Sequence, residues 1–108
     1  MTDECPFCQI IAGKREADIV YEDETLVVFK DRHPHAPVHL LIVPRKHIRS
    51  INELAPEDKD IVGEMLMKAP EIAKLMSVDR SGYNLQINVE RGAGQVIFHL
   101  HLHLTGGW

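Results

Sequence analysis

The chain has 108 residues, enough for one compact domain and too few for two, so we expect a single domain over residues 1–108. A hydrophobic share of 44% is normal for a globular fold, and a formal net charge of -4 lacks the basic footprint of nucleic-acid-binding domains. These values exclude a nucleic-acid polymer as the expected partner and leave open a small anion held by local groups.

The chain begins with a polar segment, Met1–Cys8, that contains no apolar core of a secretory signal. The longest apolar run, Val38–Val43, is interrupted by His39 and is too short to span a membrane. We therefore expect a cytoplasmic protein with no membrane partner. In a reducing compartment, Cys5 and Cys8 are typical of metal binding or redox chemistry rather than of a structural disulfide.

Helical and β-prone patterns alternate along the rest of the chain. Pro70 lies inside the one long helical pattern, and we expect it to kink or break that helix because proline lacks a backbone N–H. Asp31–Pro37 contains two prolines and is expected to be a loop. The predicted elements are a short helix at Phe7–Ala12, strands at Ile19–Tyr21, Leu26–Phe29 and His39–Val43, a long helix at Ala55–Met76, and strands at Tyr83–Val89 and Val96–Leu104.

The connections between these elements indicate the fold class. Most of them are too short for parallel crossovers, which need a dozen or more residues. We therefore predict an α+β fold, in which a five-stranded antiparallel sheet is covered on one face by the long helix. The long helix joins the third strand to the fourth.

The most informative segment is Phe98–Leu104, in which three histidines alternate with three leucines. Alternate side chains of a strand point the same way, so His99, His101 and His103 should form one row with neighbours about 7 Å apart. A solvent-facing row would mix several polar residue types, whereas three identical imidazoles suggest chemistry. Spacing alone leaves two alternatives open: a metal site, or an imidazole that acts as nucleophile or general acid.

The segment His99–Thr105 resembles the signature of the histidine triad family, in which histidine alternates with an apolar residue. Gly106 and Gly107 are similar to the nucleoside phosphoramidase branch of that family. The resemblance covers nearly the whole chain, and it implies a fold of the predicted class that pairs as a homodimer into a ten-stranded sheet. The other matching segments are Phe29–Asp31, Ala36–His47, and Asn88 followed by Gly94 and Gln95.

The family resemblance implies a hydrolase of purine nucleoside 5′-phosphoramidates and related nucleotidyl adducts. His101 would attack the α-phosphorus and form a covalent nucleotidyl-histidine, His103 would donate a hydrogen bond or proton to the leaving group, and His39 would support the site. The implied substrate-binding residues are Asp31 at the ribose, Phe7, Ile10 and Phe29 at the base, and Asn88 and Gln95 at the phosphate or leaving group. Core packing is the alternative role for Phe7 and Ile10.

The motif Cys5-Pro6-Phe7-Cys8 has the spacing of half a tetrahedral zinc site. It is also similar to the redox pair of glutaredoxins, but that fold needs a strand before the first cysteine, and only four residues precede Cys5. Many bacterial histidine triad proteins resemble this chain in pairing such cysteines with two histidines. That resemblance implies His47 and His99 as the other ligands of a structural Cys2His2 zinc, with no metal required for the chemistry.

Two other functional hypotheses stay open beside the hydrolase. Val96 stands where the phosphoramidase branch usually carries serine, which suits a purine-nucleotide-binding protein with vestigial catalysis that acts through partners. A metalloenzyme could instead use all three imidazoles of the triad. The family resemblance places the homodimer interface at the long helix and the fourth strand. His33 and His35 are expected to be solvated loop residues.

Overall fold

The computed structural model describes residues 4–108, so Met1–Asp3 of the segment examined for a secretory signal lie outside the described residues. Within residues 4–108, no helix has the length and apolar character needed to cross a bilayer. The helices are α1 (Pro6–Ile11) and α2 (Lys59–Leu75), and the strands are β1 (Ile19–Glu22), β2 (Leu26–Lys30), β3 (Val38–Pro44), β4 (Tyr83–Gln86) and β5 (Leu102–Gly106). Three-residue 3₁₀ turns lie at Ile51–Glu53, Pro56–Asp58 and Arg91–Ala93.

The five strands form one antiparallel sheet in the order β1-β2-β3-β5-β4. β5 lies between β3 and β4, so that His103 pairs with Leu41 on one side and with Gln86 on the other. This topology confirms the predicted fold class, a five-stranded antiparallel sheet with one long and one short helix. It also places β1 and β4 at the two edges of the sheet.

One face of the sheet packs against α2. Apolar residues at helical spacing on α2, among them Met65, Ala69 and Ile72, are at most 2% exposed. They meet the alternate residues of the strands that point to the same face, because side chains alternate along a strand. The strand residues of this core are Leu26, Val28, Leu40, Ile42, Leu102 and Leu104. The leucines of the triad segment are therefore the core face, as the alternation predicts.

The opposite face of the sheet is only partly covered. Phe7 and Ile10 of α1 pack there on the intervening residues of β2 and β3, which include Phe29 and Leu41. A six-residue helix spans roughly 9 Å, which is too short to cover five strands. The uncovered part of this face, where His39 and His103 point, is left as a cleft.

The sequence predicts a kink or a break at Pro70, and α2 is not broken there. The helix runs from Lys59 to Leu75 with Pro70 inside it. Pro70 is exposed, whereas the neighbouring Ala69 is fully buried against the sheet. Packing of the buried face holds the helix together where one backbone hydrogen bond is lost.

The last two strands are shorter than predicted. β4 ends at Gln86 rather than Val89, and β5 begins at Leu102 rather than Val96. The chain between them turns back through the 3₁₀ turn at Arg91–Ala93 and reaches β5 through an irregular segment. The first two histidines of the triad therefore precede the strand.

Candidate active site and metal centre

The three histidines of the triad do not form the single row expected from sequence. Only His103 lies on β5, and its ring centroid is 4.9 Å from that of His101. His99 is fully buried, and its ring contacts that of His47 instead. The row is broken because residues 97–101 are not paired as a strand; the N–H of Leu100 donates to the carbonyl of Ile48 at 2.6 Å.

The side chain of His99 belongs to a four-residue cluster that could hold zinc. One donor atom from each of Cys5, Cys8, His47 and His99 lies within 4.8 Å of the other three. Nδ1 of His99 is 3.4 Å from Sγ of Cys5 and 3.5 Å from Sγ of Cys8, and Nδ1 of His47 is 3.2 Å from Sγ of Cys8. Tetrahedral zinc with ordinary Zn–N and Zn–S bonds holds its ligand atoms about 3.3–3.8 Å apart. The cluster therefore fits zinc in donor chemistry and spacing.

The orientation of His99 also suits metal binding. Its Nε2 lies 2.7 Å from the carbonyl oxygen of Pro44, which can only accept a hydrogen bond. The proton of the neutral ring is thereby placed on Nε2, and Nδ1 keeps its lone pair for the metal. Burial lowers the pKa of His99 to about 4, so the ring is neutral at physiological pH.

His101 is held by the backbone of the same residue, His99. Nδ1 of His101 lies 2.7 Å from the carbonyl oxygen of His99 and donates to it, which leaves the lone pair on Nε2. His101 is 8% exposed, and burial lowers its pKa below the ordinary value, so the imidazole is neutral at pH 7. Within residues 4–108, two groups could hold a metal, namely the cluster of Cys5, Cys8, His47 and His99 and the group of Asp31, His39 and His103, and His101 belongs to neither. This ring is a neutral imidazole that presents an unprotonated nitrogen.

His39 and His103 form a second ordered pair. The backbone N–H of His35 donates to Nδ1 of His39 at 3.0 Å, so the ring proton of His39 lies on Nε2. That proton is donated to Nδ1 of His103, 2.9 Å away, and His103 therefore carries its own proton on Nε2. Burial, followed by the neighbouring His101 and His39, lowers the pKa of His103 to about 4. Asp31 Oδ2 lies 3.4 Å from Nε2 of His39.

These groups meet at a cleft of about 660 Å³. One wall is apolar and includes Phe7, Ile10 and Phe29, with the ring of Phe7 edge-on to that of Phe29 at 5.3 Å. The ring of Phe7 also meets that of His101 edge-on at 5.1 Å. The cleft is of the size that proteins use for small ligands, and it combines an apolar wall with a few polar groups.

Comparison with known proteins agrees with this arrangement. The family model described as "Scavenger mRNA decapping enzyme C-term binding" matches residues 4–107. The purine nucleoside phosphoramidase of Escherichia coli K12 is 37% identical over 107 residues, covering 99% of this chain and 90% of that protein. The chain belongs to the histidine triad family.

Solved structures extend the comparison. A histidine triad family hydrolase from Legionella pneumophila is 41% identical and superposes with a TM-score of 0.94, covering 97% of this chain and 94% of that chain. A zinc-bound histidine triad family protein from Mycobacterium smegmatis is 28% identical, with a TM-score of 0.83 over 100% of this chain and 78% of that chain. The present chain is thus a hydrolase of this family, and its Cys2His2 cluster could bind zinc.

The other residues that the sequence suggested lie at different distances from the cleft. Asp31, Phe29 and Asn88 line it, and Phe7 and Ile10 both line it and pack in the core. Gln95 does not line it; the residue is 3% exposed, and its amide bonds to backbone groups of Glu90, Arg49 and Ile97. Gln95 is therefore not placed to contact a substrate in the cleft directly.

A metal bound by all three imidazoles of the triad conflicts with the structure. His99 points into the cluster with Cys5 and Cys8, whereas His103 bonds to His39 on the other side of His101. Burial of the His99 ring between the cluster and the carbonyl of Pro44 keeps it away from the cleft. The three nitrogens therefore do not converge on one point.

Some cleft groups were not singled out from sequence. His33 and His35 are exposed, as expected, but the backbone N–H of His35 orients His39. Ile97 lines the cleft and packs against the Phe7 cluster. The prolines of the 31–37 loop indicate a fixed backbone there, but no sequence pattern points to a particular N–H or to Ile97.

Proposed function

We propose that this chain hydrolyses purine nucleoside 5′-phosphoramidates and related nucleotidyl adducts through a covalent nucleotidyl-histidine on His101. The observation that carries the proposal is the 2.7 Å contact from Nδ1 of His101 to the carbonyl of His99. It leaves a neutral Nε2 with its lone pair on the cleft wall. The name of the Escherichia coli relative, a purine nucleoside phosphoramidase, supports the same chemistry.

In the first step, Nε2 of His101 attacks the α-phosphorus of the substrate. An N–P bond forms, the P–N bond to the leaving group breaks, and its electron pair stays on the departing nitrogen. Neutral imidazole suits this role because it is nucleophilic near pH 7 and leaves again as the other product is formed. The lowered pKa of His101 supports the neutral form.

The departing nitrogen is assigned to His103. The Nε2–H of His103, which His39 orients by its bond to Nδ1, donates a hydrogen bond to that nitrogen. The departing nitrogen takes its proton from water, and the hydroxide that is left attacks the nucleotidyl-histidine in the second step, so His103 stays neutral throughout. The net reaction consumes one water and yields the nucleoside monophosphate and the free amine.

The apolar wall and Asp31 are assigned to the nucleoside. Phe29 and Phe7 give the base an aromatic surface, and Ile10 completes it. Asp31 has one carboxylate oxygen on the backbone N–H of His33 and is partly exposed, so it can accept hydrogen bonds from the ribose hydroxyls. Asn88 lines the cleft in the segment that follows β4, and it is assigned to the phosphate or leaving group.

The zinc, when bound, supplies a structural tie through four protein ligands. Cys5 is the N-cap of α1 and Cys8 lies within it, whereas His47 follows β3 and His99 precedes β5. A closed tetrahedral site leaves no position for substrate. The catalytic steps are therefore assigned to imidazoles alone.

The test is turnover of adenosine 5′-phosphoramidate combined with mass spectrometry of the protein. Wild type should release AMP and carry an adenylyl group on His101 after brief exposure to substrate. His101→Ala should lose both while keeping its circular dichroism spectrum and zinc content. Lys74→Ala, which removes an exposed side chain of α2 that does not line the cleft, is the control for non-specific losses.

Two outcomes would decide against this function. Turnover that persists in His101→Ala removes the nucleotidyl-histidine mechanism. Tight AMP binding without turnover in wild type favours a nucleotide-binding protein with vestigial catalysis. That alternative draws support from Val96, which lies 80% exposed at the cleft and has no hydroxyl to offer the substrate.

The cytoplasmic homodimer is part of the same proposal. β4 is an edge strand, and Leu85 on it is 41% exposed; Leu66 and Met67 on α2 are 50% and 73% exposed. An exposed edge strand with apolar residues is suited to pairing with a second copy. Leu85→Lys should shift the mass in sedimentation from dimer to monomer, whereas Ile19→Lys on the other edge should not. A monomeric wild type contradicts the dimer.

A further inference from the structure

Glu90 has a backbone conformation that side-chain-bearing residues rarely adopt. Within residues 4–108, only Ser77 and Glu90 combine a positive φ with a residue other than glycine. Glu90 has φ 70° and ψ 167°, a region that is almost exclusive to glycine. Such a conformation persists only where surrounding contacts hold it, and it is frequent at functional sites.

The carboxylate of Glu90 makes the contacts that could hold this conformation. Nη1 of Arg49 donates to both of its oxygens at 2.6 Å, and Oγ of Ser50 donates to one of them at 2.6 Å. Ser50 is fully buried, so the hydroxyl that donates to Glu90 is held in a fixed position. These donors lower the pKa of Glu90, with the bond from Ser50 as the largest cause, followed by that from Arg49.

The backbone of Glu90 closes the loop that follows it. Its N–H donates to Oε1 of Gln95 at 2.8 Å, and its carbonyl accepts from the N–H groups of Ala93 and Gln95. The amide of Gln95 in turn donates to the carbonyl of Arg49 at 2.8 Å. The loop is thus attached at both ends to the segment that contains Arg49 and Ser50.

This loop forms one wall of the cleft. Asn88, Gly94 and Val96 all line it. β4 pairs with β5 so that Gln86 lies opposite His103, and the chain that leaves Gln86 therefore runs beside the catalytic imidazoles. Asn88 is fastened to the loop by its amide, which donates to the carbonyl of Ala93 at 2.7 Å.

We infer that Glu90 is a positioning residue, whose carboxylate stabilises a strained bend and thereby fixes the 88–96 wall of the cleft beside His101 and His103. The inference rests on the proposed function for its kinetic consequence, but the position of the wall can be measured without turnover. The nucleoside side of the cleft, with Phe29 and Asp31, lies on β2 and just after it. Glu90 should therefore affect the chemical step more than the affinity for the nucleoside.

The experiment compares two substitutions at each of the two strained positions. Glu90→Ala removes the carboxylate and keeps a residue that disfavours positive φ. Glu90→Gly also removes the carboxylate but allows that φ at little cost. Ser77→Ala and Ser77→Gly are the matched controls, because Ser77 has φ 62° but is exposed just beyond α2 and does not line the cleft.

Glu90→Ala should increase amide hydrogen exchange in residues 88–97 at least tenfold, and it should lower kcat/KM at least about tenfold, since a displacement of 1 Å can cost about 100-fold. Its dissociation constant for adenosine, which lacks the phosphate assigned to Asn88, should stay within about twofold of wild type, as should its zinc content. Glu90→Gly should recover a large part of both losses. Both Ser77 variants should behave as wild type in every measurement.

Two results would overturn the inference. One is unchanged hydrogen exchange in the 88–97 segment of Glu90→Ala. The other is equal loss in Glu90→Ala and Glu90→Gly, which would mean that the carboxylate does not act by holding the bend. If wild type has no turnover, the proposed function fails, and the exchange data of the same variants still decide the role of Glu90. A Glu90→Ala protein that does not fold is replaced by Glu90→Gln, for which the same comparison with Glu90→Gly applies.

Discussion

At the scale of single residues, the site is defined by where each ring proton lies. Backbone groups, which do not ionise as the pH changes, set most of these positions. The carbonyl of His99 fixes the proton of His101, and the N–H of His35 fixes that of His39. His99 serves both centres, since its side chain belongs to the Cys2His2 cluster that could hold zinc while its carbonyl orients His101, the proposed nucleophile. The cluster and the proposed nucleophile thus share one residue.

His39 is predicted to act through the proton position on His103. His39→Ala removes the donor to Nδ1 of His103, so that the proton can move between the two ring nitrogens. We expect kcat to fall about 10- to 100-fold, as for other residues that orient a functional ring. His39→Gln places an amide N–H near the same position and should restore part of this loss.

Nitrogen NMR shifts of the histidine rings provide the decisive measurement for His39. In wild type, His103 should be protonated at Nε2; in His39→Ala, the signal should average between the two tautomers. His33→Ala is the control, since it removes an exposed imidazole of the same loop and keeps the backbone N–H of His35 that bonds to His39. An unchanged tautomer in His39→Ala contradicts the assignment.

At the scale of elements, α1 depends on the cluster at its start. Isolated helices of fewer than about 12 residues are marginal in water, and α1 has six residues. Two contacts hold it. Phe7 and Ile10 pack on the sheet, and the sulfur atoms of Cys5 and Cys8 lie against the ring nitrogens of His47 and His99. Because Phe7 also lines the cleft, loosening α1 should affect substrate binding.

Cys8→Ser is expected to abolish stoichiometric zinc binding and to lower the melting temperature by about 10 °C or more. KM should rise because Phe7 and Ile10 lose their fixed position, whereas part of kcat should survive because His101 and His103 remain. Zinc content by elemental mass spectrometry, calorimetry and kinetics test these three points. Ala12→Ser, at the exposed end of α1, controls for changes in the helix itself.

α2 offers a test of how packing overrides local preference. Pro70 lacks the N–H that would bond to the carbonyl four residues earlier, at a typical cost of about 3 kcal/mol. Since the helix persists around it, Pro70→Ala should raise the free energy of unfolding by about 1 kcal/mol or more. Chemical denaturation measures the change, with Glu64→Ala on the exposed side of the same helix as control. A destabilised Pro70→Ala protein contradicts this account.

The sequence predicts those elements whose residues repeat with one period. The alternation in the triad segment correctly places its leucines in the core, and the apolar runs at Leu26–Phe29 and His39–Val43 correctly predict β2 and β3. In the long helical pattern, Met65 and Ile72 recur at helix-like spacing and are buried, but Leu75, which belongs to the same pattern, is 59% exposed. The predicted start of β5 was wrong. His99 contacts the carbonyl of Pro44 and the cysteines instead, and these are contacts between residues far apart in sequence. The backbone of Glu90 likewise depends on Arg49 and Ser50, which no local pattern connects to it.

At the scale of the whole molecule, the two faces of the sheet have different tasks. One is covered by α2 and packs in an apolar core that includes Leu40, Leu104 and Met65. The other buries ionisable rings beside the cleft, where desolvation lowers the pKa of His39, His101 and His103. Lowering the pH should therefore protonate these rings and lower the free energy of unfolding, because the unfolded chain binds protons at these histidines more readily than the folded chain does.

His103 gives this linkage its clearest test. Its pKa is about 4 in the folded chain and about 6.5 in the unfolded chain, so between these pH values the unfolded state binds more protons. The free energy of unfolding should fall as the pH is lowered from about 6.5 to about 4, and it should be least affected by His103 above that window. Urea denaturation of wild type and His103→Gln across pH 4–8 isolates this contribution, since loss of zinc on acidification affects both proteins. The variant should have the shallower slope, and His33→Gln, which removes an exposed imidazole, should retain the slope of wild type. Equal slopes in wild type and His103→Gln would mean that His103 is as easily protonated in the folded chain as in the unfolded one, and that the neutral, hydrogen-bond-donating ring assigned to the cleft is wrong.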